Sequence, residues 1–207
     1  MKFKIILGLL FLTISIGVNA QQTAQQSPTP KNDDSKSANT TITTYVRPDK
    51  KTRQKRYLKS LFSLTGFART VASSGFNTAL NKPEEWGGTW EGFGRRVGSG
   101  LGKNVIKQTT IYALDESFKL DSKFYRSQKR DFGSKMKNAL ISPFTARTPE
   151  GKRVIGFPRI IGTYTASIIA AEVWYPKRYT YLDGLKAGTF SLGMNAAFNV
   201  VKELFKK

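Results

Sequence analysis

Residues 181–205 read YLDGLKAGTFSLGMNAAFNVVKELF, and within them Phe190, Met194, Ala197, Val201 and Leu204 advance by steps of 4, 3, 4 and 3. An α-helix turns once in about 3.6 residues, so side chains at those steps share one apolar face. The stretch predicts a C-terminal helix from about Tyr181 to Phe205, with Lys206 and Lys207 set against the negative end of its dipole. A stripe of this kind ordinarily faces a core. It sets the expectation of a mainly α-helical, close-packed domain.

Toward the N-terminus, Ile160 to Ala171 carries no charge and forms, with its flanks, an apolar segment from Phe157 to Trp174 closed by Pro176. Its β-branched residues leave helix and strand both open. Thr148-Pro149-Glu150-Gly151-Lys152 reads as a turn, because proline presets one dihedral and glycine accepts positive values. Arg130 to Ile141 predicts a short helix ended by Pro143, and Val97 to Leu114 a longer one. The first helix is expected from Lys51 to Leu80, since Leu61, Leu64, Ala68, Val71 and Ala72 recur at helical spacing and Asn81-Lys82-Pro83 stops it. The expected fold is a single-domain bundle of about four to five helices over residues 51–207.

Two halves echo one another. Gly66-Phe67-x-Arg69 returns as Gly156-Phe157-x-Arg159, and Leu101-Gly102-x-Asn104 as Leu192-Gly193-x-Asn195, at separations of 90 and 91 residues. A duplicated helix-loop-helix is one reading of this pattern. Gly94, Gly98 and Gly102 form a ladder in which every fourth side chain is missing, with Gly162, Ala166 and Ala170 and the pair Gly184 and Gly188 as relatives. Such a smooth face lets another helix approach closely. Gly94, Gly98 and Gly102 are therefore expected at a helix interface, and the same faces would serve a homo-oligomer.

The chain opens with Lys2 and Lys4, an uncharged run from Ile5 to Val18 and then Val18-Asn19-Ala20, the pattern of an export signal cleaved before Gln21. The run is shorter than the roughly 20 residues of a spanning helix. Residues 21–50 are rich in Gln, Ser, Thr, Asn and Lys and are expected to form a disordered polar linker. Loss of Lys2 and Lys4 lowers the net charge only from +20 to +18. That imbalance answers to a polyanion, and export favours an anionic membrane or glycan surface over nucleic acid. The location implied is the periplasm or cell envelope.

The chain has no Cys and no His, which removes disulfides, the usual zinc and copper ligands, and the commonest nucleophiles and general bases. No metal site and no cofactor-binding motif is read. The candidate membrane- or anion-binding residues are Lys50, Lys51, Arg53, Lys55, Arg56 and Lys59, where cations lead into Leu61 and Phe62, together with Arg95, Arg96, Arg126 and Arg130. The uncharged stretches Ile160 to Ala171 and Ala187 to Val201 are 12 and 15 residues long, short of a spanning helix. Arg69 interrupts the longer run Leu61 to Leu80. Surface association is thus expected rather than a spanning bundle, and a β-barrel is disfavoured because alternating strands are lacking. The alternative is a carboxylate-based hydrolase of cell-wall or extracellular glycan using Glu84, Glu85 or Glu91 beside Trp86 and Trp90.

The series Trp86-Gly87-x-x-Trp90-x-Gly92-Phe93-Gly94-Arg95-Arg96-x-Gly98, then Leu120-Asp121-x-x-Phe124-Tyr125-Arg126, then Trp174-Tyr175-Pro176 resembles a family of exported Gram-negative bacterial proteins without a known activity. The resemblance spans about Gly66 to Phe205. It implies an envelope location and brings no ligand or catalytic residue; Ser122 stands where that pattern has proline.

Overall fold

A computed structural model describes residues 45–129 and 131–205. The expected signal and most of the expected linker lie outside the described residues. The folded unit begins at Tyr45, earlier than the expected boundary at 51. The Tyr45 hydroxyl donates to Asp121 Oδ2 at 2.8 Å, and Arg47 donates to the carbonyls of Asp115 and Leu120 at 3.0 and 3.3 Å. These ties reach across the fold to partners that a polar composition does not announce.

The described residues form a mainly helical bundle, as expected. Its elements are α1 (Lys50–Leu61), α2 (Leu64–Ala79), α3 (Trp90–Ser117), α4 (Phe132–Ile141), β1 (Thr145–Arg147), β2 (Arg153–Ile155), α5 (Phe157–Val173) and α6 (Tyr181–Leu204). Short 3-10 turns stand at Glu84–Trp86 and Ser142–Phe144. The expected first helix is two. Ser63 leaves helical geometry and its side chain accepts from the Gly66 amide, so it caps a new helix and separates α1 from α2.

Local chemistry explains the other starts. Thr89 caps α3 through the Gly92 amide, which begins this helix at Trp90, well before the expected Val97. Asp131 caps α4 through the Ser134 amide. Proline near the start of α5 suits the first turn, where an amide hydrogen has no helical partner, and settles that segment as helix. Thr180 and Asp183 form a reciprocal capping box at α6. The expected turn at 148–152 connects β1 to β2 in an antiparallel hairpin, with Thr145 opposite Ile155.

The two echoing halves are both helix-loop-helix. Thr89 and Thr180, 91 residues apart, begin the second helix of each half. The first helices are out of register, since Gly66 lies inside α2 whereas Gly156 precedes α5.

Helix α5 is central, packed on α3 and α6, while α4 leans on α6 and both α1 and α2 lean on α3. Close approach depends on missing side chains. A Cβ on Gly162 would lie 2.9 Å from the Lys107 carbonyl oxygen, and one on Gly184 would lie 2.6 Å from the Ile168 Cα. The Gly94 and Gly98 positions meet nothing within 4 Å, and Gly102 only touches the Trp174 ring at 3.6 Å. The expected packing ladder on α3 is therefore corrected: its upper rungs face open space, and the seam runs through the α5 and α6 glycines.

The apolar stripes are corrected as well. Phe190 is 71% exposed, Val201 48% and Leu204 45%, and on α2 Leu64 is 80% exposed. Helix α6 instead buries Gly184, Gly188, Leu192, Ala196, Asn199 and Glu203. Helix α5 buries Pro158, Gly162, Thr163, Ala166, Ser167, Ala170 and Ala171. Small and polar residues fill the interior and large apolar ones cover much of the outside, the reverse of the usual partition. Among the described residues no helix is long and apolar enough to cross a membrane.

Candidate functional site

The polar side of the helices encloses a half-open cleft of about 640 Å³. Helix α6 lines it with Asn195, Asn199 and Lys202, at steps of 4 and 3, so they form a polar stripe beside the outward apolar one. Helix α3 supplies Lys107, Ile111 and Asp115 at steps of 4, α5 supplies Arg159, and α2 supplies Arg69. Arg56 and Lys59 of α1 stand at the same wall.

Positive charge dominates this space. Basic side chains outnumber acids eight to three among the lining residues. The three acids are already engaged. Glu116 accepts two hydrogen bonds from Arg53, at 2.5 and 2.7 Å, which hold its pKa below the usual range. Asp121 accepts from the hydroxyls of Tyr45 and Tyr125 and from the Lys123 amide, and these bonds outweigh its desolvation and lower its pKa. Asp115 accepts from the Ser122 amide and hydroxyl, yet burial dominates and pushes it up to about 6.

Six cations of the cleft, Lys59 and Lys123 among them, have no such partner among the described residues. Lys107, Arg159, Arg69 and Lys202 enter no ion pair among the described residues. Arg159 Nη1 reaches only the Ser142 carbonyl, at 3.4 Å, and the Arg69 guanidinium lies 3.9 Å from the Phe198 ring centre. Desolvation, reinforced by Arg159 and Arg69, pushes the Lys107 ammonium down to about 8. Arginine keeps its proton, so Lys107 is the group that yields. The buried Nδ2 atoms of Asn195 and Asn199 also find no hydrogen-bond partner.

The expected anion-binding residues separate into three groups. Lys50, Lys51, Lys55 and Lys59 are exposed on α1, and Arg126 is exposed in the loop after α3. Arg53, Arg56 and Arg95 are occupied by Glu116, by Asp121 with Tyr125, and by Glu91. Arg96 is corrected outright. It is buried and donates to the carbonyls of Lys82, Pro83 and Gly87, closing the loop before α3 rather than meeting a surface. Arg130 lies outside the described residues.

The proposed carboxylates do not converge on the cleft. Glu84 and Glu85 form exposed pairs with Arg178, and Glu91 pairs with Arg95. Sequence reading missed Lys107, Arg69, Arg159, Asn195, Asn199 and Lys202 as site residues. A signal existed for three of them, because the repeated Gly-Phe-x-Arg ends on Arg69 and Arg159, and the repeated Leu-Gly-x-Asn ends on Asn195.

No family model, no characterised protein and no solved structure matches the chain.

Proposed function

We propose that this protein is an exported envelope protein that works against an anionic lipid membrane in a structural or binding role. The carrying observation is the outward turn of the apolar stripes, Leu64 on α2 and Phe190, Met194, Val201 and Leu204 on α6. Each such side chain gains roughly 1.5 to 3 kcal/mol when fully removed from water. A bilayer supplies that environment, and small residues at the α3, α5 and α6 contacts suit helix packing in lipid. Lys50, Lys51, Lys55 and Lys59, next to exposed Leu58 and Phe62, supply the interfacial pattern of cations beside apolar anchors. Each lysine near an anionic leaflet adds about 1 kcal/mol. The residue 1–20 pattern and the family resemblance support the envelope location.

The test is fractionation of the full chain from a Gram-negative host, with a high-salt wash before detergent. Wild type is expected to remain with membranes through salt and to leave in detergent, with Gln21 as its first residue. The double variant Phe190→Glu, Val201→Glu is expected to fold and to leave the membrane. Release of folded wild type as a monomer by salt alone would overturn the reading. An association between copies that the same double variant abolishes would assign the stripe to a second chain instead.

A further inference from the structure

We propose that the cleft between α2, α3, α5 and α6 binds a phosphoryl group, with Lys107, Arg159, Arg69 and Lys202 as its cations and the amides of Asn195 and Asn199 as neutral donors. This goes beyond the membrane reading and does not depend on it.

The argument begins with the unpaired charges. Four helices each deliver a cation to one cleft, while every acid lining it is already held by tyrosine, serine or arginine. Like charges gathered in this way repel, and they are desolvated by the same walls that lower Lys107. A surface patch that meets headgroups would spread its cations outward, as α1 does. Here Arg69, Lys107 and Arg159 are half-buried at the cleft wall, with Lys202 at its exposed rim.

Neutral donors point to the same ligand. Asn199 is only 4% exposed, and its Nδ2 has no acceptor. An unmade hydrogen bond of this kind costs about 1 to 3 kcal/mol, so its persistence beside a basic cavity is unusual without a ligand that accepts it. Both asparagines stand on α6, while the cations come from four helices and therefore from different directions. A carboxylate offers two oxygens in one plane, whereas a terminal phosphoryl group offers three oxygens around a tetrahedron and up to two negative charges, matching the spread of donors.

The size adds a further requirement. A volume of about 640 Å³ falls within the range of small-molecule sites and exceeds the needs of one anion. Ile111, Tyr112 and Leu120 line the same space and offer apolar contact to the remainder of a ligand. Two sources share this chemistry: a soluble phosphate compound, and the phosphomonoester headgroup of a phospholipid taken from the surface that the outward stripes face.

The experiment is thermal melting of the full chain in nonionic detergent, with inorganic phosphate against chloride at equal ionic strength. A parallel arm uses phosphatidylcholine vesicles with and without phosphatidic acid, whose headgroup is a terminal phosphoryl group. Stabilisation by inorganic phosphate assigns a soluble source, and stabilisation by phosphatidic acid alone assigns the headgroup; either supports the site. Lys107→Met is expected to melt no lower than wild type without phosphate, because it removes an unpaired desolvated charge. In whichever arm responds it should bind about tenfold more weakly or worse, the value of one charge-assisted hydrogen bond. Lys152→Met, the same change in the exposed hairpin turn away from both the cleft and α1, should keep the full response. No stabilisation in either arm, or an undiminished response in Lys107→Met, overturns the proposal. The detergent arm contains no bilayer, so a chain that ignores membranes yet responds to phosphate would lose the membrane reading alone.

Discussion

Gly94 and Gly98 on α3 and Gly184 and Gly188 on α6 share the same four-residue spacing, yet they have opposite surroundings. A Cβ added to either α3 position meets no atom within 4 Å, whereas at Gly188 it would sit 2.5 Å from the Tyr164 ring. Spacing states that a helix face is smooth. Whether a second helix lies on it depends on where the chain returns, and here α5 returns against the α6 glycines.

The sharpest way to break that contrast is Gly184→Leu. Its first added carbon already lies 2.6 Å from the Ile168 Cα, a backbone atom that cannot rotate away. Overpacking of this kind costs about 3 kcal/mol or more, which lowers the melting temperature by roughly 6 to 12 °C for a domain of this size. A variant that melts like wild type in detergent would show that the α5–α6 seam is open.

A smaller effect concerns the cleft behind that seam. Lys107 feels Arg159 on α5 and Arg69 on α2, and it shares the cleft with Lys202 on α6 and with Asp115 further along its own helix. Its folded pKa of about 8 lies below the ordinary 10.5, so the native state binds fewer protons than the unfolded chain between those values. Stability from this group therefore rises with pH through that window, and its cost is fully present below about 8. In phosphate-free detergent solution, Lys107→Met should lose this rise. Melting curves from pH 7 to 10.5 that superimpose in slope for both proteins would show that Lys107 is not desolvated.

The smallest change is expected for Gly98→Leu, which has the opposite sign to a substitution in the seam. Nothing within 4 Å obstructs the new side chain, and leucine is a better helix former than glycine by up to about 1 kcal/mol. The variant should melt at or slightly above wild type. A clear loss would mean that another surface covers α3 in solution.

The helical reading came through because periodicity and capping are local. The proline turn at 148–152 marks its hairpin correctly, and the caps at Asp131 and at Thr180 with Asp183, which the structure shows, act over a similarly short range. Ser63 was equally local, but it sits inside a stretch whose apolar residues keep helical spacing on both sides of it and so read as one helix. The direction of the stripes was not legible. Phe190, Met194, Ala197, Val201 and Leu204 identify a face without saying what it faces, and the usual assumption of an aqueous exterior turned it inward. The site was half legible through the repeated motifs ending on Arg69, Arg159 and Asn195. Lys107 and Lys202 looked like ordinary charges among many.

By itself the sequence determined the basic charge, the absence of Cys and His, the mainly helical character and most helix ends, because these depend on composition or on neighbours within a turn. Only the tertiary structure decided which glycines are contacts, that Arg96 locks a loop, and that unpaired cations from four helices meet in one cleft. Those facts join residues from separate helices. Their partners are chosen by how the helices cross, and no short-range pattern carries that information.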